Sequence, residues 1–211
     1  MWDGAISRVS SAKFLGIYID ENLNFHEHVG FLATKIAKTV GILNKVKYFL
    51  PKFVLHKLYN SLIEPYIRYG IEVWGNAAGC YLDRVVKFQK SALRAIHNLP
   101  FDSHTSPYFK QSNILTVSKL FKFHVLLLTF KAVHFDRDQS LFNHAVTHSQ
   151  VHTHFTRHSE NLLLPRFHLS NSQKFISYAG PKLWNELPVH LKMQESLNIF
   201  KRELLVFLIQ N

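Results

Sequence analysis

Two stretches of this chain repeat apolar residues at intervals of three and four and throw basic residues to the opposite side. No other feature limits the possible folds as tightly. In the first, Val29, Leu32, Ile36, Val40 and Leu43 form one stripe, while Lys35, Lys38 and Lys45 fall away from it. This is the spacing of a helix buried on one side. Asn24 followed by Glu27 is a variant of the capping-box pattern and is expected to open that helix. The residue before a proline resists helical geometry, so the helix is expected to stop near Lys47–Leu50, ahead of Pro51. The second stretch, Tyr81 to Ile96, is cleaner. At ~100° per residue, Leu82, Val85, Val86, Ala92, Leu93 and Ile96 fall within roughly 80–200°, and Arg84, Lys87, Lys90 and Arg94 within roughly 240–360°. The apolar face of each helix is expected in the core.

The remaining elements follow from punctuation. Lys13 to Ile19, KFLGIYI, is rich in β-branched and aromatic residues, and with Ala5–Val9 it reads as a hairpin turning at Ser10 and Ser11. The run is nearly all apolar, so it is expected to be covered on both faces, at the edge of a larger sheet. Pro51 suits the first turn of a second helix, with Val54, Leu55, Leu58, Tyr59 and Leu62 inward, and Pro65 ends or kinks it. Tyr66–Trp74 reads as core, Gly75–Gly79 as a loop and Asn98–Pro107 as a turn-rich break. Val117–Val133 reads as a strongly apolar helix with Leu120, Phe121, Val125, Leu128 and Ala132 inside. After a polar, histidine-rich stretch, a last amphipathic helix is expected from about Ser196, with Leu197, Phe200, Leu204 and Leu208 on one face. The fold class expected is mainly α: an N-terminal β-hairpin, a helical bundle and a helical C-terminal region.

Charge narrows the partners. The formal net charge is +11, and residues 1–135 hold 17 basic and 8 acidic side chains, a net of +9, against +2 for the rest. Between Glu27 and Glu64 there are six lysines and no acid. Such a surface favours phosphate-rich partners, nucleic acid first. Charged faces opposite a core are also ordinary solvated surface. The acid-free window and the one-sided row from Arg84 to Arg94 tilt the reading toward phosphate contact. The expected nucleic-acid-binding residues are Lys35, Lys38, Lys45, Lys47, Arg84, Lys87, Lys90 and Arg94.

Catalytic and metal chemistry is sparse in the sequence. There is no Gly-rich phosphate loop, no HExxH and no GxSxG, and His26-Glu27-His28 has the wrong spacing for a helical zinc pair. No Asp-Asp pair occurs among the 14 scattered acids, so no catalytic residue is expected. His144, His148 and His152 are spaced by four and would stack on one helix face, but no carboxylate between Gln139 and Ser159 completes a site, and a polar linker is the simpler reading. Tyr66, Tyr69, Trp74 and Trp184 read as core rather than as stacking platforms for bases. One cysteine, Cys80, excludes an internal disulfide and fits a reducing intracellular compartment, nuclear or cytoplasmic. No membrane partner is expected. The longest apolar run, Leu204–Ile209, is far short of the ~20 residues of a span, and Met-Trp-Asp-Gly does not open like a secretory signal.

In order along the chain, KFLGIYIDENLNFHEHV, KTVGILNKVKYFLP, LYNSLIEPYIRYGIEVWGN and YLDRVVKFQKSALRAI resemble the C-terminal part of reverse transcriptases of non-LTR retrotransposons, nearest the jockey-like and CR1-like groups. The later SKLFKFHVLLLTFKAVH, HTHFTRHS and YAGPKLWNELP fit the same pattern, so the resemblance runs from Ile6 to Phe207. The resemblance implies a palm-end hairpin over 1–22, a basic helical thumb-like domain over 23–100, an apolar post-thumb helix over 101–135, a His-rich linker over 136–160 and a C-terminal helical region over 161–211. It implies an RNA-directed DNA polymerase fragment that holds primer–template without reading sequence. The polymerase aspartates would lie upstream, and this chain alone would be inactive. No cofactor is expected here, since magnesium would come with the missing palm. The partners implied are an RNA–DNA hybrid or duplex and the upstream polymerase half. The alternative is a free-standing, non-catalytic nucleic-acid-binding module derived from such an element.

Overall fold

The computed structural model of the chain describes residues 8–135, 161–167 and 169–210. It is mainly helical, with one antiparallel two-stranded hairpin near the N-terminus. Two compact units divide it: Met1–Gly70 with Ala77–Thr105, and Ile71–Asn76 with Ser106–Asn211.

In the first unit, β1 (Ser11–Phe14) pairs with β2 (Ile17–Asp20), Ser11 opposite Asp20 and Phe14 opposite Ile17. The turn is therefore Leu15–Gly16, not Ser10–Ser11, and the run read as one strand contains both. Leu15 and Gly16 have φ of 46° and 86°, the left-handed pair that a two-residue hairpin turn matched to strand twist requires. Alternation cannot locate a turn inside an apolar run. The expected covering of both faces also fails: Ala12, Lys13 and Phe14 are exposed, while β2 is half-buried throughout and packs against the first helix.

Helix α1 (His26–Val46) starts without a side-chain cap of its own, because Phe25 at the cap position is left-handed at φ 56°. The Asn24–Glu27 capping box does not form. Asp20, at the end of β2, replaces it: its carboxylate accepts the backbone N–H groups of Asn22 at 3.1 Å, Asn24 at 3.0 Å and Phe25 at 2.6 Å. Asp20→Ala leaves these donors without a partner and is expected to cost about 2 kcal/mol in urea unfolding. A loss below about 0.5 kcal/mol, the range of an ordinary surface change, would show that the connection holds itself.

Val29, Leu32, Ile36, Val40 and Leu43 of α1 are all buried, as are Leu82, Val85, Ala92, Leu93 and Ile96 of α5 (Gly79–His97), and the two helices pack on each other. Between them come α2 (Lys52–Leu62), α3 (Glu64–Arg68), with Pro65 in its first turn, and α4 (Ile71–Trp74), which belongs to the second unit. From α2 only Leu55 and Tyr59 are buried; Val54 and Leu58 are half-buried and Leu62 is exposed. Gln89 of α5 donates to the buried Tyr59 hydroxyl at 3.0 Å. Tyr66 and Tyr69, expected in the core, are exposed at 42% and 56%. Tyr69 instead braces the hairpin, its hydroxyl donating to the Leu15 carbonyl in the turn. Gly70 beside it sits at φ 58°, and a Cβ there would come within 2.5 Å of Ile17.

The second unit contains α4, α6 (Ser106–Gln111), α7 (Val117–His134), a 3-10 turn at Ser170–Lys174, α8 (Ile176–Asn185), α9 (Val189–Lys192) and α10 (Leu197–Gln210). Trp74 and Trp184 are buried. Phe130 of α7 stacks on Phe200 of α10 at 4.2 Å between ring centres, with Trp184 within 6.3 Å of both. Leu128 and Ala132 are only half-buried, and Phe123, Leu126 and Phe130 lie inside instead. Phe200, Leu204 and Leu208 are buried, with Leu197 at the margin.

Candidate nucleic-acid interface

A surface that grips phosphate needs cations that are solvent-facing, not already neutralised, and held by a rigid support. The first unit provides these in two rows. On α1, Lys35, Lys38 and Lys45 are exposed and lie within an arc of about 80°, opposite the stripe that packs on α5. Lys47, just past the helix end, is half-buried, with its ammonium 5.1 Å from the centre of the Tyr48 ring. On α5, Arg84, Lys87 and Lys90 are exposed, and the opposite face contributes Val85, Ala92 and Leu93, which are fully buried. None of the eight expected residues is ion-paired among the described residues, where the carboxylate partners are Glu21, Glu64 and Glu72.

Arg94 differs from its neighbours. It is half-buried, and its Nε and one terminal nitrogen donate to the Ser103 carbonyl at 3.2 and 3.0 Å while its guanidinium lies 5.7 Å from the centre of the Phe101 ring. Its side chain anchors the segment that follows α5, which helical periodicity does not reveal. Asp83 is a second residue that the row of cations conceals. One residue before Arg84, it is exposed and falls on the basic side of the helix at ~100° per residue. The face therefore mixes one acid with its cations.

Further positive charge collects where α2 begins. His97, at the end of α5, is held below the ordinary imidazole range by burial, then by Lys52 and His56. The first turns of α2 thus extend their field to α5. In the second unit, Lys119 is pushed down by burial and by its neighbours Lys110 and Lys122, a basic cluster not anticipated from the sequence. In the same unit His124 Nδ1 meets Glu72 at 2.9 Å, and that hydrogen bond holds the Glu72 carboxyl below its usual range.

His144, His148 and His152 lie outside the described residues, and among the described residues no three metal-binding side chains converge. Cys80 is exposed. Among the described residues no helix is long and apolar enough to cross a membrane.

Comparison with known proteins supplies a family context. The chain is 27% identical over 118 residues to the probable RNA-directed DNA polymerase from transposon BS of Drosophila melanogaster, covering 54% of this chain and 13% of that protein. It is 27% identical over 103 residues to the RNA-directed DNA polymerase from mobile element jockey of Drosophila funebris, covering 47% and 11%. It is 28% identical over 96 residues to the corresponding probable polymerase from transposon X-element of Drosophila melanogaster, covering 43% and 10%. About half of the chain is thus a segment related to non-LTR, jockey-type RNA-directed DNA polymerases, and the match spans only about a tenth of their length. No family model and no solved structure matches the chain.

Proposed function

We propose that this segment of reverse-transcriptase descent holds primer–template nucleic acid through its phosphates, the α1 and α5 faces of residues 23–100 serving as a thumb-like grip. Its partner in this reading is an RNA–DNA hybrid or duplex of any sequence, and the chain contributes binding rather than catalysis. The observation that carries the reading is the row Arg84, Lys87 and Lys90: exposed cations without ion pairs among the described residues, on a helix whose other side is core. The kinship with proteins named as RNA-directed DNA polymerases supports nucleic acid over other polyanions. Lysines and arginines on helix faces suit a grip that must slide, since phosphate contacts position a duplex without reading its bases.

Fluorescence anisotropy of the complete chain with a labelled RNA–DNA hybrid tests this. The logarithm of affinity is expected to fall linearly with the logarithm of salt concentration, by about 0.9 for each phosphate contacted. A folded chain that fails to bind at low salt, or binds independently of salt, would overturn the reading.

A further inference from the structure

The connection from α1 to α2 and the first turn of α2 expose three aromatic rings within six residues. Tyr48 is 74% exposed, Phe49 85% and Phe53 64%. They are not loose. The backbone N–H groups of Phe49 and Leu50 both return to the Val46 carbonyl, at 3.0 and 3.1 Å, and α2 resumes at once from Pro51, so the rings stand on a tight corner. Around them are Lys45, Lys47, Lys52 and Lys57, inside the window that contains no acid. Lys47 lies 5.1 Å from the centre of the Tyr48 ring and Lys57 lies 5.7 Å from that of Phe53.

We propose that this corner is a second nucleic-acid site, on which the unpaired bases of a single strand stack against Tyr48, Phe49 and Phe53 while the four lysines hold its phosphates. Large exposed rings are costly to leave in water, and alternating rings and cations match a strand that alternates bases and phosphates. A second copy of this chain is a poor occupant, because its own lysines would face these. A protein partner is disfavoured for a related reason: lysine is depleted at the centre of protein interfaces. A lipid surface would draw on exposed aliphatic side chains as well, whereas the large exposed apolar side chains between Lys45 and Lys57 are all aromatic. The site shares Lys45 with the α1 row of the duplex grip but differs from that grip, because its specific contact is with base faces that a duplex keeps stacked.

The test compares the complete chain with the variant Tyr48→Ala, Phe49→Ala, Phe53→Ala, using a labelled single-stranded oligouridylate and an RNA–DNA hybrid. These side chains contribute little to the core, so circular dichroism is expected to be unchanged. Base stacking is worth about 1–3 kcal/mol per base, so losing three rings is expected to weaken single-strand binding about 150-fold or more. Its salt slope should stay the same, because every lysine remains, and its affinity for the hybrid should be unchanged. Restoring rings through Tyr48→Phe, Phe49→Tyr and Phe53→Tyr should restore single-strand binding. A loss of less than threefold overturns the proposal. So does a variant that binds the single strand normally but no longer binds phosphatidylcholine–phosphatidylserine vesicles, since the corner would then be a membrane contact. The converse variant, Arg84→Ala, Lys87→Ala, Lys90→Ala, separates the two sites: failure of the duplex grip alone removes hybrid binding and spares the oligouridylate.

Discussion

Replacing Arg84, Lys87 and Lys90 together with alanine is expected to weaken binding of an RNA–DNA hybrid by about 500-fold near 0.1 M salt. The figure follows from counterion release: each phosphate contact adds about 0.9 to the salt slope, so three removed contacts flatten the slope by about 2.7 and remove the same number of decades at that salt concentration. The three side chains are exposed, and alanine is the strongest helix former, so α5 should persist. Arg94 is left intact because its bonds to the Ser103 carbonyl would confound binding with folding. Asp83→Asn gives the opposite sign. Removing the one acid on that face should tighten binding if the hybrid lies there. A triple variant whose affinity falls less than threefold would move the grip elsewhere.

The second large effect is on stability. His28 is 1% exposed in the first turn of α1, and burial pushes its pKa from an ordinary 6.5 down to about 4. The unfolded chain therefore takes up a proton at this residue between about pH 6.5 and 4 while the folded chain does not. Proton uptake by the unfolded state favours unfolding. Stability from this residue is complete above about pH 6.5, falls as the pH drops, and is lower by about 3 kcal/mol near pH 4. Urea unfolding of His28→Phe measures it, because the phenyl ring cannot titrate: relative to the unsubstituted chain, the variant should gain about 3 kcal/mol between pH 7 and 4. An NMR titration in which the His28 ring protonates near pH 6.5 would refute the expectation.

What the sequence disclosed was decided by how one-sided each element's burial is. The stripes of α1 and α5 are legible because each helix buries one face and solvates the other, which is the condition under which period and environment coincide. Helix α7 meets that condition poorly. It is enclosed on most sides, so Phe123 and Leu126 are as deep as Leu120, and a single stripe read from spacing omits them. The hairpin turn is hidden because Leu15-Gly16 interrupts an apolar run without a polar residue to mark it. The cap of α1 is hidden because its acceptor, Asp20, lies outside the helix and acts through the loop. Of the candidate site, the outward direction of Lys35, Lys38, Arg84, Lys87 and Lys90 is readable from the same periodicity. The attachment of Arg94 to Ser103 is not, because it depends on the path of a loop. Aromatic residues mislead most: Tyr66 and Tyr69 sit in an apolar context yet are exposed, and nothing in the pattern around Tyr48, Phe49 and Phe53 marks them as surface.

The order in which the two units share the chain limits how the protein can be taken apart. Ile71–Asn76 belongs with Ser106–Asn211, although Ala77–Thr105 rejoins the unit that begins the chain. The two units are interleaved in sequence, so no single cut separates them. An expression product ending at Thr105 would retain Ile71 and Trp74, both fully buried in the whole chain, without the α7 they pack against. A product beginning at Ser106 would lack that tryptophan and the glycine whose missing side chain leaves room for Phe121. Neither fragment is a fair test of its unit. During synthesis the same arrangement leaves an apolar segment bare until the later half emerges from the ribosome, a period in which a chaperone would be the natural shelter.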